Sequence, residues 1–328
     1  MIAKSISQDQ APERSVPSKK RITRNQRRAA TFYLLVSPWL IGFVLLGIIP
    51  FVIGLLTSFT NYDGLNISNF KFVGIDNYTR AFGDLEVSFS MKRTLLWGLV
   101  NLPTWLILSF GLAVILNQNV KGRGIFRTIF YLPSLIPIAA AVTAWRVILE
   151  RNFGILNHLI SQFTPEPVAI GWFSDYAMPG MTGIAVWGGL GAGMVIFLAG
   201  LQGIPGELIE ASRIDGANNF QSFRHVTLPL MTPVIFFQLV MGLIGAFQQL
   251  NLPMIMTGVA MTSTSVPPRA IYLYMIHTYR QIFTFGRYGY GTALLWLLFL
   301  AIVALTAFVF WSEKFWVFSS GSAEGDRS

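Results

Sequence analysis

An all-α membrane protein of six transmembrane helices is the fold class the sequence predicts, and three observations predict it. Charged residues make up 12% of the 328 and hydrophobic ones 53%, whereas about a quarter of an ordinary soluble domain is charged. Six uncharged runs occupy 31–60, 94–118, 128–145, 176–206, 226–268 and 288–312, each close to or above the roughly 20 apolar residues that a helix needs to cross a bilayer. Between the fourth and fifth runs lies a mixed-charge stretch from Glu210 to Pro229, far longer than a turn between two spans.

Residues 1–30 are polar, basic and rich in Ser and Pro, which predicts a disordered tail. Eight of the 24 Lys and Arg fall before residue 29. This asymmetry, and not a basic face for nucleic acid, explains the formal charge of +9. Under the positive-inside rule it places the N-terminus in the cytoplasm, and six crossings return the C-terminal tail, 317–328, to the same side. Lys121, Arg123, Arg127, Arg213 and Arg224 then fall on the cytoplasmic side; Lys71, Arg80, Lys92, Arg93, Arg151, Arg269, Arg280 and Arg287 fall in outer loops. The first apolar run is too long and too far along the chain for a cleaved signal peptide.

The first span holds Pro38 and Pro50, which predict kinks satisfied by neighbouring helices. An outer loop with turn residues Asp63-Gly64 and Gly74 leads to the second span, Thr94 to Gln118, which contains Pro103. Gly122 and Gly124 mark the turn into the third span, and an outer loop at 149–178 precedes the fourth. The fourth carries WGGLGAG at 187–193. Those small residues, Gly189 among them, either let helix backbones pack closely or line a cavity that must admit a ligand.

The fifth span, Pro229 to Thr257, holds four amides in an apolar helix: Gln238, Gln248, Gln249 and Asn251. Gln238 and Gln249 share a helical face with Gly245, and the other two are offset from it. Amides at membrane depth need partners, which either neighbouring helices or hydroxyls of a passing sugar would supply. Val259 to Pro268 reads as a loop, and the sixth span follows.

Several functions are excluded. There is no cysteine, hence no disulfide or thiolate chemistry. No GxxxxGK[ST] phosphate loop occurs, and the three histidines at 158, 225 and 277 are scattered. No span carries Asp, Glu, Lys or His near its centre, which argues against an ion-coupled carrier. Arg146 falls at the outer end of the third span, where it can snorkel. The chain contains no catalytic or metal-binding constellation, so energy for directed work has to come from a partner.

Within the insert, Glu207 and Glu210 lie early in a predicted helix, where negative charge suits the dipole. Gly216 ends or bends it, and a second helix, Asn218 to Val226, is stopped by Pro229. Ala211 and Ser212 are small enough for close approach. The segment reads either as an interfacial amphipathic helix or as a surface gripped by another protein.

The insert resembles the EAA loop of permease subunits in ABC importers, whose pattern is EAA, three residues, G, nine residues, I, one residue, LP. Glu210-Ala211-Ser212, Gly216, Val226 and Leu228-Pro229 keep that spacing, with Asp215 ahead of the glycine and two mild departures at Ser212 and Val226. The likeness runs over about 32–315. FVGIDNY at 72–78, GRGIFRTIFYLPSLIP at 122–137, FQQLNLPMIMTG at 247–258 and GYGTALLWLLF at 289–299 resemble the MalF-like carbohydrate branch. Relatives often continue that third stretch with Gly-Gly-Pro, where this chain has Val259-Ala260-Met261.

The resemblance implies a permease domain at 31–316 in a bacterial plasma (inner) membrane. It implies pairing with an unlike second permease, two ATPase subunits beneath that bind ATP and Mg, and a solute-binding protein outside. Glu210 would pair with a basic group of the ATPase, and Gly216 would allow the bend. Gln249, with Gln248 and Asn251, would face a sugar path that Trp187 and its neighbouring glycines line. Two other readings stay open: a glycerophosphate-type importer, against which the absence of cations in spans four and five counts, and a stand-alone carrier.

Overall fold

Basic residues followed by an unbroken apolar run dictate how the chain starts: helix α1 (Arg24–Phe43) passes through a π-helical segment, Val44–Ile48, into α2 (Ile49–Ser58). The computed structural model describes residues 24–65, 70–118, 121–258 and 265–318. The expected N-terminal tail up to residue 23, Val259-Ala260-Met261 and most of the C-terminal tail lie outside them. The chain forms two compact units, 1–53 and 54–328.

Proline chemistry accounts for the π segment. Pro50 has no N–H, and its ring would crowd the carbonyl four residues back. The turn before it is widened, with Ile49 N–H bonded to the Val44 carbonyl five residues back.

In the second unit, the loop after α2 folds onto the far end of the chain. Asn77, in α3 (Asp76–Gly83), donates to the carbonyls of Ser58 and Thr60 at 2.8 Å each. Gly289 donates from its backbone to the Tyr62 carbonyl at 2.8 Å. A Cβ at Gly289 would lie 2.1 Å from the Thr60 carbonyl oxygen, so this junction requires glycine.

Helix α4 (Leu85–Asn117) starts at Leu85 and not at Thr94, so Lys92 and Arg93, expected in the loop, are helical. Asp84 caps it, accepting from the Glu86 N–H at 2.9 Å. Burial alone would raise the Asp84 carboxyl, but hydrogen bonds from the Tyr290 hydroxyl and the Glu86 N–H hold it below its usual value.

The third span is not one straight helix. Helix α5 (Arg123–Leu135) and α6 (Ile138–Ile148) meet at 101°, with Ile136 and Pro137 in extended conformations between them. The residue before a proline is pushed out of the helical region, and here two extended residues in a row turn the chain. Four continuous spans accompany this bent pair: Thr31–Ser58, Leu85–Asn117, Ala177–Gln202 and Tyr288–Trp316, with a fifth at Asn219–Phe247.

The 149–178 loop contains helix α7 (Ile155–Ser161), organised around Asn157, which is 2% exposed. Its amide donates to the Arg151 and Ile170 carbonyls at 2.9 Å each. Its Oδ1 accepts from Trp172 Nε1 at 2.8 Å.

Helix α8 (Ala177–Gln202) is the central element, packing on α4, α5 and α6. It leads to α9 (Gly206–Ile214), α10 (Asn219–Ser222), a second π segment at Phe223–Thr227, and α11 (Leu228–Phe247). Pro229 therefore does not stop the helix after the insert, as its sequence predicted. Leu228 N–H reaches the Phe223 carbonyl five residues back, and this wide turn carries the helix past the proline.

The fifth span is broken as well. Gln248 leaves helical geometry at φ −92°, ψ 9°, and α12 (Asn251–Thr257) starts afresh beyond Leu250. The expected single helix from Pro229 to Thr257 is two helices with Gln248, Gln249 and Asn251 at the junction.

An unpredicted helix, α13 (Tyr274–Phe283), packs on α14 (Tyr288–Trp316) and α4. Its inward face is polar. His277 lies 3.1 Å from the Tyr272 hydroxyl and 3.3 Å from Gln281 Nε2, and burial pushes its pKa below the usual value. Tyr274 donates from its hydroxyl to the Leu294 carbonyl at 2.9 Å, and its N–H donates to Thr94 Oγ1 at 2.9 Å.

Asn157→Ala leaves the Arg151 carbonyl and the Trp172 indole N–H without partners and takes one of two donors from the Ile170 carbonyl, a loss of about 1–3 kcal/mol. A clearly lower unfolding midpoint of the purified protein in detergent is expected, and an unchanged midpoint would refute the hub role of this residue.

Candidate functional site

The structure presents two candidate regions, an elbow at α9–α10 and a cavity where the two broken spans meet α8.

In the elbow, Pro205 precedes the first residue of α9 and Glu207 sits in its first turn. The helix ends in paired reverse bonds: Ala217 N–H to the Ser212 carbonyl at 3.0 Å and Gly216 N–H to the Arg213 carbonyl at 3.1 Å. This Schellman arrangement needs a left-handed residue at its turn, and Gly216 supplies it with φ +84°. The chain then restarts through a capping box. Asn218 Oδ1 accepts from the Gln221 N–H at 2.9 Å, and Gln221 Oε1 accepts from the Asn218 N–H at 2.8 Å.

One bond ties the two arms together. Ser212 Oγ lies 2.6 Å from Ser222 Oγ and 2.8 Å from the Ile209 carbonyl. The carbonyl only accepts, so Ser212 donates to it and Ser222 donates to Ser212. The serine that departs from the EAA pattern thus does something alanine cannot.

Glu210, Ala211, Asp215 and Gly216 are exposed on this elbow, whereas Leu228 and Pro229 are half-buried at the start of α11. Two apolar side chains that sequence reasoning missed stand out beside them: Ile214 is 86% exposed and Phe220 67%. Both sit next to the motif, and their apolar character in a polar insert was the available signal.

The cavity, of about 250 Å³, is lined by the α5–α6 bend at Pro133, Ser134 and Ile136, by Trp187, Gly188 and Gly189 of α8, and by Gln249 at the α11–α12 break. The Trp187 ring is held edge-on against Trp145, with centroids 5.5 Å apart. The two readings of the glycine run divide by position. A Cβ at Gly191 would lie 2.2 Å from the Phe130 carbonyl oxygen, and one at Gly193 would lie 2.7 Å from Ser109 Oγ. Those two serve helix packing. Gly188 has nothing within 4 Å of its would-be Cβ, while Gly189 faces the Trp105 indole at 3.0 Å; both also line the cavity.

Of the expected path residues, the structure therefore brings together Gln249, Trp187 and Gly189. Gln248 and Asn251 are exposed at the break and do not line the cavity. Gln238 is 3% exposed inside the packed part of α11, and its Nε2 has no hydrogen-bond partner. The break removes the common helical face predicted for Gln238 and Gln249. Among the described residues, no group of three or more His, Cys, Asp or Glu is placed to hold a metal.

Comparison with known proteins identifies the architecture. Residues 106–316 match the family described as binding-protein-dependent transport system inner membrane component. The probable ABC transporter permease protein YesP of Bacillus subtilis (strain 168) is 35% identical over 303 residues, 91% of this chain and 94% of that protein. The trehalose/maltose transport system permease protein MalF of Thermococcus litoralis is 31% identical over 284 residues, covering 85% and 92%. Among solved structures, a chain of a bacterial ABC transporter involved in import of the acidic polysaccharide alginate aligns with a TM-score of 0.72 at 21% identity, covering 89% of this chain and 97% of the other. That likeness is one of fold.

Ser222→Ala deletes the donor of the hydroxyl bridge and is expected to cost about 1 kcal/mol locally. Faster hydrogen exchange confined to residues 212–222 is the expected signature, and exchange identical to wild type would show that the bridge does not hold the arms.

Proposed function

The chain belongs to the family of binding-protein-dependent transport system inner membrane components, and from that premise we propose that it is the permease subunit through which an ATP-driven importer moves a saccharide into the cytoplasm. The observation that carries this reading is the elbow. A segment made rigid by a Schellman turn, a capping box and a hydroxyl bridge presents Glu210, Asp215, Ile214 and Phe220 outward, where a partner has both charge and apolar surface to hold.

In this reading the elbow docks on an ATPase subunit at the cytoplasmic face, one copy beneath this chain and one beneath a second, unlike permease. ATP and Mg bind to the ATPases, and this chain has no catalytic residues of its own. The basic N-terminal segment supports a cytoplasmic N-terminus. An external solute-binding protein delivers the cargo; support comes from a bacterial alginate ABC transporter of similar fold, solved in complex with its periplasmic protein bound to an alginate pentasaccharide. The named relatives that carry trehalose and maltose, starch degradation products and arabinooligosaccharides support a saccharide cargo.

Closure of the ATPases would displace the elbow. Helix α11 continues from it without interruption, from Asn219 to Phe247, and so transmits that displacement to the break at Gln249. There the amide pairs with sugar hydroxyls as donor and acceptor, while Trp187 offers a flat apolar surface to a sugar ring.

Proline at position 216 cannot adopt a φ near +84° because its ring fixes φ near −65°. Gly216→Pro, and separately Glu210→Lys, are expected to abolish co-purification with the ATPase or to uncouple ATP hydrolysis from uptake. Full uptake by this chain in vesicles free of ATPase would sink the proposal. Gln249→Ala should raise the KM for uptake about 5- to 10-fold, the worth of one hydrogen bond, with assembly intact; unchanged kinetics would remove Gln249 from the path.

A further inference from the structure

A second cavity lies next to the first, and its lining differs in charge. Its volume is about 650 Å³, and it is bounded by Thr143, Arg146 and Glu150 at the end of α6, by Met256 and Thr257 at the end of α12, and by Trp172. The first cavity touches the starts of the same two short helices, at Ile138, Ala141 and Leu252. Both cavities thus draw on α6 and α12, the wider one at the ends of those helices farther from the breaks.

Two cations, Arg146 and Arg151, and two carboxylates, Glu150 and Asp175, stand around the wider cavity, and three of the four are engaged. Arg151 pairs with Asp175 at 3.4 Å. Glu150 accepts the backbone N–H groups of Asn152 and Phe153 on one carboxylate oxygen, Oε2, at 2.5 and 2.7 Å. Arg146 is exposed, and among the described residues it has neither a carboxylate nor a carbonyl partner. Its guanidinium lies over Gly258, where a Cβ would sit 3.2 to 3.5 Å from Nη1, Nη2 and Cζ. Placement in the last turn of α6 suits the helix dipole, which explains a cation there but leaves its donors open to a ligand.

We propose that Arg146 is a specificity-determining residue for a carboxylate-bearing saccharide, a uronate oligomer, which it holds in the wider cavity. The inference rests on the import reading above and specifies its substrate class. A planar guanidinium with open N–H edges matches one carboxylate in a bidentate pair. A phosphate dianion is better served by several cations, and among the described residues lining this cavity there is one uncommitted cation. Trp172 gives the neutral face of a sugar ring a flat wall, and its indole N–H is already fixed by Asn157 at 2.8 Å. The absence of cations from spans four and five, which favours a neutral cargo, is offset by the cation at the end of the third.

The test uses the complete transport complex, purified through this chain and reconstituted in proteoliposomes with its binding protein. ATP-dependent uptake is compared for radiolabelled trigalacturonate and trimannuronate, and for their carboxyl-reduced neutral counterparts. The wild type should take up at least one uronate in preference to its neutral counterpart. Arg146→Gln should raise the KM for that uronate about 10-fold or more, as expected for a charged hydrogen-bonded pair, without changing neutral-sugar uptake. Arg146→Lys should recover part of the loss, and excess glycerol 3-phosphate should not compete. Equal handling of acidic and neutral sugars, uptake of the neutral forms alone, or competition by glycerol 3-phosphate at similar concentration overturns the assignment. Uronate uptake that is independent of ATP yet still lost in Arg146→Gln overturns the import reading and leaves the role of Arg146 intact.

Discussion

Within a bilayer every backbone N–H and C=O has to be satisfied inside the protein, and this chain interrupts its spans under that constraint, at three places beside a proline and at one between amides. It uses two solutions. Ahead of Pro50 and Pro229 the helix widens into five-residue π segments, Val44–Ile48 and Phe223–Thr227, and continues. At Ile136–Pro137 and at Gln248–Leu250 it stops and restarts in a new direction. The first solution preserves long continuous elements. The second opens space between them, and that space is walled by α8, whose glycines permit backbone contact at Gly191 and leave room at Gly188.

These choices join the two candidate regions through one continuous helical segment. Helix α11 and the segment before it form one rod from Asn219 to Phe247, 29 residues or roughly 44 Å at 1.5 Å per residue. One end carries the serine-bridged elbow and the other ends at the amide that lines the cavity. The short helices α6 and α12 beyond the breaks are set off from this rod and pack on each other and on α8.

Much of this was legible in the sequence for identifiable reasons. Uncharged runs reveal spans because charge is costly in hydrocarbon, and the spacing of Glu210, Gly216 and Pro229 reveals the elbow. Breaks inside uncharged runs were not legible: Gln248, Gln249 and Pro253 do not lower the mean hydropathy enough to divide one span into two. The early start of α4 was hidden by Lys92 and Arg93, which hydropathy assigns to a loop. Helix α13 turns polar residues inward, so its pattern resembles that of an exposed segment. The role of Ser212 depends on Ser222, ten residues away, which comes into reach only after the elbow has folded.

The π segment at Phe223–Thr227 also fixes an angle. A helix advances about 100° for each residue, so one extra residue accommodated in a wide turn shifts the azimuth of everything before it by about that amount relative to α11. Pro229 cannot donate to His225 and its ring would crowd that carbonyl, which keeps the turn wide. The closing Leu-Pro of the motif therefore works as an angular index: it sets the compass bearing on which the elbow carrying Glu210 and Asp215 leaves the rod.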